Sequence, residues 1–223
     1  MTPTFLEERT CARTTRHARR GHPLHGLAFR TIERFIAAFV LLLLAPLWLP
    51  IAIVLAAISR RNPLIRHRRV GWQGRSLAML KFRTMWGEDV PTARWAIEEV
   101  TGFVAGKNGT DVRVKSAFAA FCRRHSLDEL PQLFHVIRGE MSLVGPRPIT
   151  AEELREYYGS DADEVLSVRP GLTGLWQVRG RSRLGYARRR RLDLLLVRRE
   201  CAGLYFRILL RSIPGVVSGQ DAC

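Results

Sequence analysis

Asp128 and Glu129 are neighbours in the stretch Ser126-Leu-Asp-Glu-Leu-Pro131, and two adjacent carboxylates there admit two chemistries. One is structural. Ser126 with Glu129 three residues on has the pattern of a capping box, and Asp128 is well placed against a helix dipole. The other is catalytic: one carboxylate binds a hard divalent cation while the other attacks or relays protons. A helix N-terminus and an ion would also draw in phosphate. Pro131 fits a pure cap poorly, because beyond the first turn it removes a helical hydrogen bond. From these residues alone both readings stay open.

Arginines fixed beside Pro and Gly form a second set. Arg147 stands between Pro146 and Pro148, Arg169 precedes Pro170, and Arg179 and Arg181 flank Gly180. A guanidinium held by stiff backbone presents paired N–H donors that match phosphate oxygens, which suits pyrophosphate. A plain surface turn is the commoner meaning of Pro-Arg-Pro. Lys81 and Arg83, on alternate positions, share one face if that segment is extended. Phosphate-binding P-loop, dinucleotide, serine-esterase and zincin motifs are all missing from the sequence, so those chemistries lack their defining residues.

The elements that must position these groups begin with a hydrophobic run. From Phe35 to Ile58 there are 24 residues without a charge. At ~1.5 Å per residue they would extend about 36 Å, enough for a hydrocarbon core of ~30 Å. Pro46 and Pro50 sit in its middle and predict a sharp bend there, the membrane break. Arg16, Arg19, Arg20, Arg30 and Arg34 precede the run; Arg60, Arg61, Arg66, Arg68 and Arg69 follow it. Cytoplasmic preference of both basic flanks is met by a hairpin that dips into the membrane and returns. A Pro-kinked single span is the alternative.

Downstream, Val70–Met85 alternates loosely and predicts a short hairpin with a basic edge. Helices are expected over Pro91–Val104, Val114–Arg124 (Ala117, Phe118, Phe121 and Cys122 inward) and Leu127–Arg138, where Leu130, Leu133, Phe134 and Ile137 recur at helical spacing. Gly139 ends that last helix. Gly145–Pro148 and Pro170–Gly174 read as loops and Gly102–Asp111 as a turn-rich connection. Further helices are expected over Glu152–Tyr158, Leu184–Glu200 and Leu204–Val217; their mixing of Arg with Leu and Phe suits docking at a membrane interface, and ordinary surface helices are the equal alternative.

The chain has 223 residues, 36 basic against 20 acidic, for a formal charge of +16; only Lys81, Lys107 and Lys115 are lysines. Such a balance predicts a polyanionic partner: nucleic acid, an anionic membrane or a phosphorylated small molecule. With 47% hydrophobic residues, wholesale disorder is excluded. Cys11, Cys122, Cys201 and Cys223 are too scattered for a structural zinc site or a disulfide framework. His17, His22 and His25 lie in an Arg-rich stretch without periodicity and read as part of a solvated tail.

Four motifs in fixed order complete the picture: Lys81-Phe-Arg-Thr-Met85, Ser126-Leu-Asp-Glu-Leu-Pro-Gln-Leu133, Gly139-Glu-Met-Ser-Leu-Val-Gly-Pro-Arg-Pro148 and Arg169-Pro-Gly-Leu-Thr-Gly-Leu-Trp-Gln-Val-Arg-Gly180. With the proline-broken hydrophobic segment, they make the chain resemble the bacterial sugar transferases (monotopic phosphoglycosyl transferases) from about Ile32 to Val217. The resemblance implies an α/β-mixed, helix-rich cytoplasmic catalytic domain on a re-entrant membrane hairpin, with amphipathic interfacial helices. The corresponding division is a basic tail over 1–31, the re-entrant helix over 32–60, the catalytic domain over 61–218 and a short tail over 219–223. Because only a polar tail precedes the hairpin, the minimal catalytic form of the family is expected.

The same resemblance implies transfer of a sugar 1-phosphate from a UDP-sugar to a polyprenyl phosphate, with release of UMP, at the start of exopolysaccharide, capsule or O-antigen assembly. Asp128 matches the family nucleophile that forms an aspartyl phosphosugar. Glu129 would be its partner carboxylate at Mg²⁺, so both are implied metal ligands. Arg147 matches the family arginine on substrate phosphate, and Lys81, Arg83, Arg169 and Arg179 are further phosphate-binding candidates. The implied location is the bacterial inner membrane, catalytic domain towards the cytoplasm, on its cytoplasmic leaflet. No nucleic acid is expected as a partner, and the oligomeric state is left open, a homodimer included.

Departures from the family pattern are local. Ala45 replaces the usual Ser before the proline; the acidic residue at the hairpin start appears as Glu33; Glu88 and Asp89 both follow the Phe-Arg-Thr-Met motif; and Leu192-Asp193 is followed by Leu194, Leu195 and Leu196 rather than tyrosines. Two other classes compete: a membrane-tethered nucleic-acid binder, against which the arginines are interrupted and carry no reading motif, and an inactive membrane scaffold for glycan assembly.

Overall fold

The computed structural model describes residues 26–85, 114, 116–180, 184–199 and 201–218. The helix expected over Pro91–Val104, the connection over Gly102–Asp111, Glu88, Asp89, Arg181 and the histidine-bearing tail lie outside them.

The protein is helix-rich, with two small sheets. Two helices, α1 (Leu27–Leu43) and α2 (Ala45–Ser59), meet at Leu44 and are bent by 64°. The break therefore falls ahead of both prolines rather than on them. Pro46 occupies the first turn of α2, where its missing N–H has no intrahelical partner to lose. Pro50 sits inside α2, which continues through it. At the break the Trp48 indole Nε1 donates to the Leu41 carbonyl at 3.0 Å. No single described helix is long and apolar enough to cross a membrane; the bent pair passes that test by length and composition.

Both helices pack against the rest of the chain. Ala37 and Leu41 of α1 join Leu77, Met79, Leu133, Val136, Met141 and Ile208 in the main core, while Ile51 and Leu55 of α2 join Phe82, Ala119 and Cys122 in a second. Glu33, 7% exposed, anchors α1 by polar bonds: its Oε1 accepts from Ser142 Oγ (2.6 Å), Leu143 N (3.0 Å) and the Tyr205 hydroxyl. The opposite faces stay bare, with Phe35, Phe39, Leu42, Leu43 and Ile53 all exposed.

Strands β1 (Leu64–Val70) and β2 (Ser76–Phe82) form an antiparallel hairpin with Ile65 opposite Lys81. The hairpin starts earlier than the sequence pattern suggests. The arginines after the hydrophobic run are themselves strand residues, Arg66 and Arg68 outward, so their charge masked an alternating segment. The expected loop at Pro170–Gly174 contains a strand, β4 (Gly171–Thr173), which pairs in parallel with β3 (Ser142–Val144).

Between the sheets, α3 (Ala117–Arg124) leads into a 3₁₀ turn (Leu127–Gln132) and α4 (Leu133–Arg138). The single helix expected over Leu127–Arg138 is thus two pieces, Pro131 lying in the tighter one. The change of pitch breaks the helical phase: Leu133 and Val136 are buried while Phe134 is exposed. In α3, Ala119 and Cys122 face inward, and Phe121 lies outside against His125 at 4.5 Å. Gly139 ends α4 at φ 75°.

The expected capping box at Ser126 does not form. Ser126 is left-handed (φ 55°) with no side-chain cap. A capping box occurs instead at Thr150 and Glu153, opening α5 (Ala151–Glu153), which widens into a π-helical stretch to Tyr158. After α6 (Ala162–Leu166), α7 (Tyr186–Arg198) buries Asp193, Leu194, Leu196 and Val197. Helix α8 (Ala202–Ser218) buries Tyr205 and Ile208 and exposes Phe206, Leu210, Ile213 and Val217.

Candidate active site

Two neighbouring residues on a 3₁₀ turn diverge by about a third of a turn. Asp128 accordingly points inward, 6% exposed, while Glu129 reaches the cations of two other elements. Lys81 of β2 donates from Nζ to Glu129 Oε1 at 2.8 Å and lies 3.9 Å from Asp128 Oδ2. Arg147 donates from Nη2 to the same Glu129 oxygen at 2.9 Å. Pro-Arg-Pro is therefore more than a surface turn: it carries a guanidinium to the acidic pair.

The two carboxyls are electrostatically unlike. Burial pushes Asp128 up to about 6, helped by the Glu129 charge and opposed by Lys81. Burial acts on Glu129 too, but Arg147 and Lys81 outweigh it and hold that carboxyl far below the usual range. The Glu129 charge in turn raises Arg147, so this pair stays ionised. The result is one permanently charged anchor beside one carboxylate of high basicity, a division suited to a nucleophile and its partner.

Lys81 owes its position to His135 of α4. The Leu80 N–H donates to His135 Nε2 at 3.0 Å, which leaves the ring proton on Nδ1, directed at Glu140. Arg147 owes its position to glycines. Gly145 N donates to Thr173 O at 2.9 Å and Gly171 N to Pro146 O at 2.8 Å. A Cβ on Gly171 would stand 2.0 Å from Gly145 N, and one on Gly145 would stand 2.5 Å from Arg169 O. Only bare backbone lets the two loops cross this closely.

The remaining candidate cations lie elsewhere. Arg83 follows β2 and donates from Nε to the Asn62 carbonyl at 2.9 Å. Arg169 donates to the Gly139 carbonyl at 2.6 Å and covers Trp72, its guanidinium 4.6 Å from the ring. Arg179 is exposed in the turn after Trp176. The first two are held on backbone carbonyls, a use of arginine that residue type and spacing do not reveal.

Next to Arg147 opens a small cavity, partly open to solvent, that sequence reasoning missed. Arg189 and Asp193 of α7 line it, with Trp176, Tyr158 and Tyr186. The Arg189 and Arg147 guanidiniums lie 4.8 and 6.0 Å from the Trp176 ring. Asp193 Oδ2 accepts from the Tyr158 hydroxyl at 2.7 Å. Burial pushes Asp193 up to about 7, against the opposing pull of Tyr158 and Arg147. One signal was available: an aspartate inside the apolar run Leu192–Val197 needs a buried partner.

Among the described residues no three His, Cys, Asp or Glu side chains gather as a metal cluster. Two carboxylates, one buried with raised proton affinity, still fit a hard cation that draws its other ligands from substrate phosphate and water.

Comparisons with known proteins identify the family. The family model described as bacterial sugar transferase matches residues 24–219. The exopolysaccharide production protein ExoY of Rhizobium meliloti (strain 1021) is 39% identical over 221 residues, 96% of this chain and 92% of that protein. The UDP-galactose-lipid carrier transferase of Erwinia amylovora is 40% identical over 86% of this chain and 40% of its own length. A UDP-glucose:undecaprenyl-phosphate glucose-1-phosphate transferase of Xanthomonas campestris pv. campestris is 34% identical over 85% of this chain and 39% of its own. With the match running through every element described above, the chain belongs to the bacterial sugar transferase family and is a phosphoglycosyl transferase.

Proposed function

We propose that this enzyme transfers a sugar 1-phosphate from a UDP-sugar to a polyprenyl phosphate at the cytoplasmic face of a bacterial inner membrane, as the opening step of exopolysaccharide or related glycan assembly. The relatives' names, which include UDP-sugar and lipid-carrier transferases and an exopolysaccharide production protein, support the substrates and setting. The observation that carries the chemistry is the buried Asp128 beside a Glu129 fixed by Lys81 and Arg147.

In the first half-reaction an Asp128 oxygen forms a bond to the sugar-bearing phosphorus while the bond to the leaving UMP oxygen breaks. In the second, a phosphate oxygen of the lipid forms a bond to the same phosphorus and Asp128 departs as a carboxylate. One site thereby serves a water-soluble donor and a lipid acceptor in turn. Arg147 and Lys81 offset phosphoryl charge, and Glu129 orients both. Mg²⁺, held by Asp128 and Glu129, would supply further neutralisation of that charge.

The bent α1–α2 pair enters the membrane as a re-entrant hairpin, the basic residues on either side staying cytoplasmic. Its bare apolar face and that of α8, with Phe206, Leu210 and Ile213 exposed, support docking at the interface. Cysteines placed before Phe35 and after Ile58 should be labelled from the same side; opposite accessibility means a true span. The chemical test is mass spectrometry of the enzyme mixed with UDP-sugar and Mg²⁺ but no acceptor. A phosphosugar adduct on Asp128, lost in Asp128→Asn, is expected; an Asp128→Asn enzyme that still releases UMP at the wild-type rate refutes the nucleophile.

A further inference from the structure

Three arginines surround one indole near the start of α1, and a fourth stands beside them. Trp72, in the turn between β1 and β2, is pinned by its Nε1, which donates to the Ser167 carbonyl at 3.2 Å. Around its ring lie the guanidiniums of Arg169 at 4.6 Å, Arg75 at 5.7 Å and Arg30 at 5.9 Å. Arg34, one turn after Arg30 on α1, lies across Gly139, where an added Cβ would run into its guanidinium. Arg169 donates from Nε to the carbonyl of the same glycine.

This gathering of charge is unanswered from within. Among the described residues none of the four arginines forms an ion pair, and Arg30 Nε is buried without a hydrogen-bond partner. Burial, then the charges of Arg30 and Arg34, lower the pKa of Arg169; Glu33 alone opposes them. Glu33 is already engaged by Ser142, Leu143 and Tyr205, so it does not bridge the guanidiniums. An indole face attracts a cation weakly and does not cancel repulsion among several. A buried N–H without an acceptor adds its own cost. An anion with several acceptor oxygens removes both penalties, and phosphate matches the guanidinium fork.

Two features decide which phosphate. The cluster is far from the reaction: Arg75 and Lys81 are six residues apart along an extended strand, about 20 Å at ~3.3 Å each. Gly139 likewise follows α4, whereas Asp128 precedes it. A phosphate held here is therefore not the one being transferred. The second feature is continuity with apolar surface. On α1, Arg34 lies between the buried row Glu33, Ala37 and Leu41 and the bare row Phe35, Phe39 and Leu42. A phosphate at Arg30 and Arg34 that carried acyl chains could lay them along that bare row. A free phosphate or a nucleotide would leave it uncovered.

We infer that Arg30, Arg34, Arg75 and Arg169, grouped around Trp72 and Gly139, hold the phosphodiester of an anionic phospholipid whose acyl chains cover the outer face of α1. The inference rests on the reading of the α1–α2 pair as a membrane element. It gives Arg169 a phosphate partner remote from the acidic pair, and favours anionic over zwitterionic lipid because a choline or ethanolamine cation would meet four like charges.

Native mass spectrometry of the full chain in an uncharged detergent, titrated with phosphatidylglycerol, tests it without turnover. One saturably bound phosphatidylglycerol per chain is expected, held at least tenfold more tightly than phosphatidylcholine. Arg30→Gln/Arg34→Gln should weaken it at least tenfold. Arg75→Gln, which lies outside the membrane pair and cannot disturb its insertion, should weaken it at least threefold. Arg207→Gln/Arg211→Gln removes two exposed charges from α8 and should change it less than twofold. Thermal unfolding identifies the folded variants, and Arg75→Gln decides if the α1 double variant is unfolded. Equal losses in the α1 and α8 variants, or no preference over phosphatidylcholine, would overturn the site. So would displacement of the lipid by equimolar glycerol 3-phosphate, which would make the ligand a soluble phosphate. A rise in KM for polyprenyl phosphate in Arg75→Gln, with phosphatidylglycerol binding intact, would make the acceptor the occupant and also overturn it. Arg75-dependent lipid binding in an enzyme without turnover sinks the proposed reaction and spares the site; turnover without lipid preference does the reverse.

Discussion

Arg147 Nη2 lies 2.9 Å from Glu129 Oε1, a contact between residues 18 positions apart that joins the Pro-Arg-Pro loop to the 3₁₀ turn. Lysine cannot reproduce a braced guanidinium that serves both Glu129 and the neighbouring cavity. Arg147→Lys should therefore lower kcat/KM by roughly 10²-fold, the scale of losing one oriented donor to transition-state charge. Steady-state UMP release measures it, and a change below threefold would remove Arg147 from the phosphate.

Gly171→Ala should disable the enzyme from a distance. Its Cβ would meet Gly145 N at 2.0 Å, so β3 and β4 must separate and carry Arg147 with them. A loss of at least about 2 kcal/mol is expected from such overpacking, with activity falling in parallel. Gly203→Ala, where a Cβ meets nothing within 4 Å, is the contrasting case and should gain up to ~1 kcal/mol as a helix residue. Thermal unfolding of both variants reads the difference.

At the bend, Trp48→Phe removes the donor to Leu41 O and should cost about 1–3 kcal/mol, the penalty for an orphaned buried acceptor. The same carbonyl lies four residues before Ala45, which makes a serine hydroxyl at that position a candidate replacement donor across the bend. Ala45→Ser should recover part of the loss in the Trp48→Phe background and little in the wild type. Equal gains in both would show that Trp48 does not satisfy this carbonyl.

Stability should depend on pH through His67 of β1. Burial, then the charges of Lys81, Arg69, Arg123 and Arg83, push its pKa from 6.5 down to about 4. Between those values the unfolded chain binds more protons than the folded one, so stability is intact above pH 6.5 and falls as pH drops toward 4. His67→Gln should flatten that part of the profile of melting temperature against pH. An unchanged slope would mean that other groups control it.

Much of this was legible in residue types. The Pro-Arg-Pro stiffness, the adjacent carboxylates, Gly139 as a helix end and the amphipathic faces of α7 and α8 are local properties. What escaped depended on neighbours distant in sequence. Charge on Arg66 and Arg68 hid a strand whose partner supplies Lys81. Helical spacing through Pro131 predicted one continuous phase and so put Phe134 inside. Ser126 carried a capping pattern that Thr150 uses instead, as the sequence Thr150-Ala-Glu-Glu153 would have allowed. Arg83 and Arg169 are matched to backbone carbonyls that no spacing rule exposes. Asp193 is the instructive case: its oddity in an apolar helix was visible, its place beside Arg147 and Tyr158 was not.

The hydrophobic N-terminal pair is also interior structure, since Ala37, Leu41, Ile51 and Leu55 fill the two largest cores among the described residues and Glu33 ties down β3 and α8. Trimming the chain to begin after residue 60, the usual route to a detergent-free enzyme for crystallography or screening, would strip those cores and leave Ser142 and Tyr205 without their common acceptor. Solubility would have to be engineered by recolouring the bare outer face, at Phe35, Phe39, Leu42 and Ile53, with the helices themselves retained.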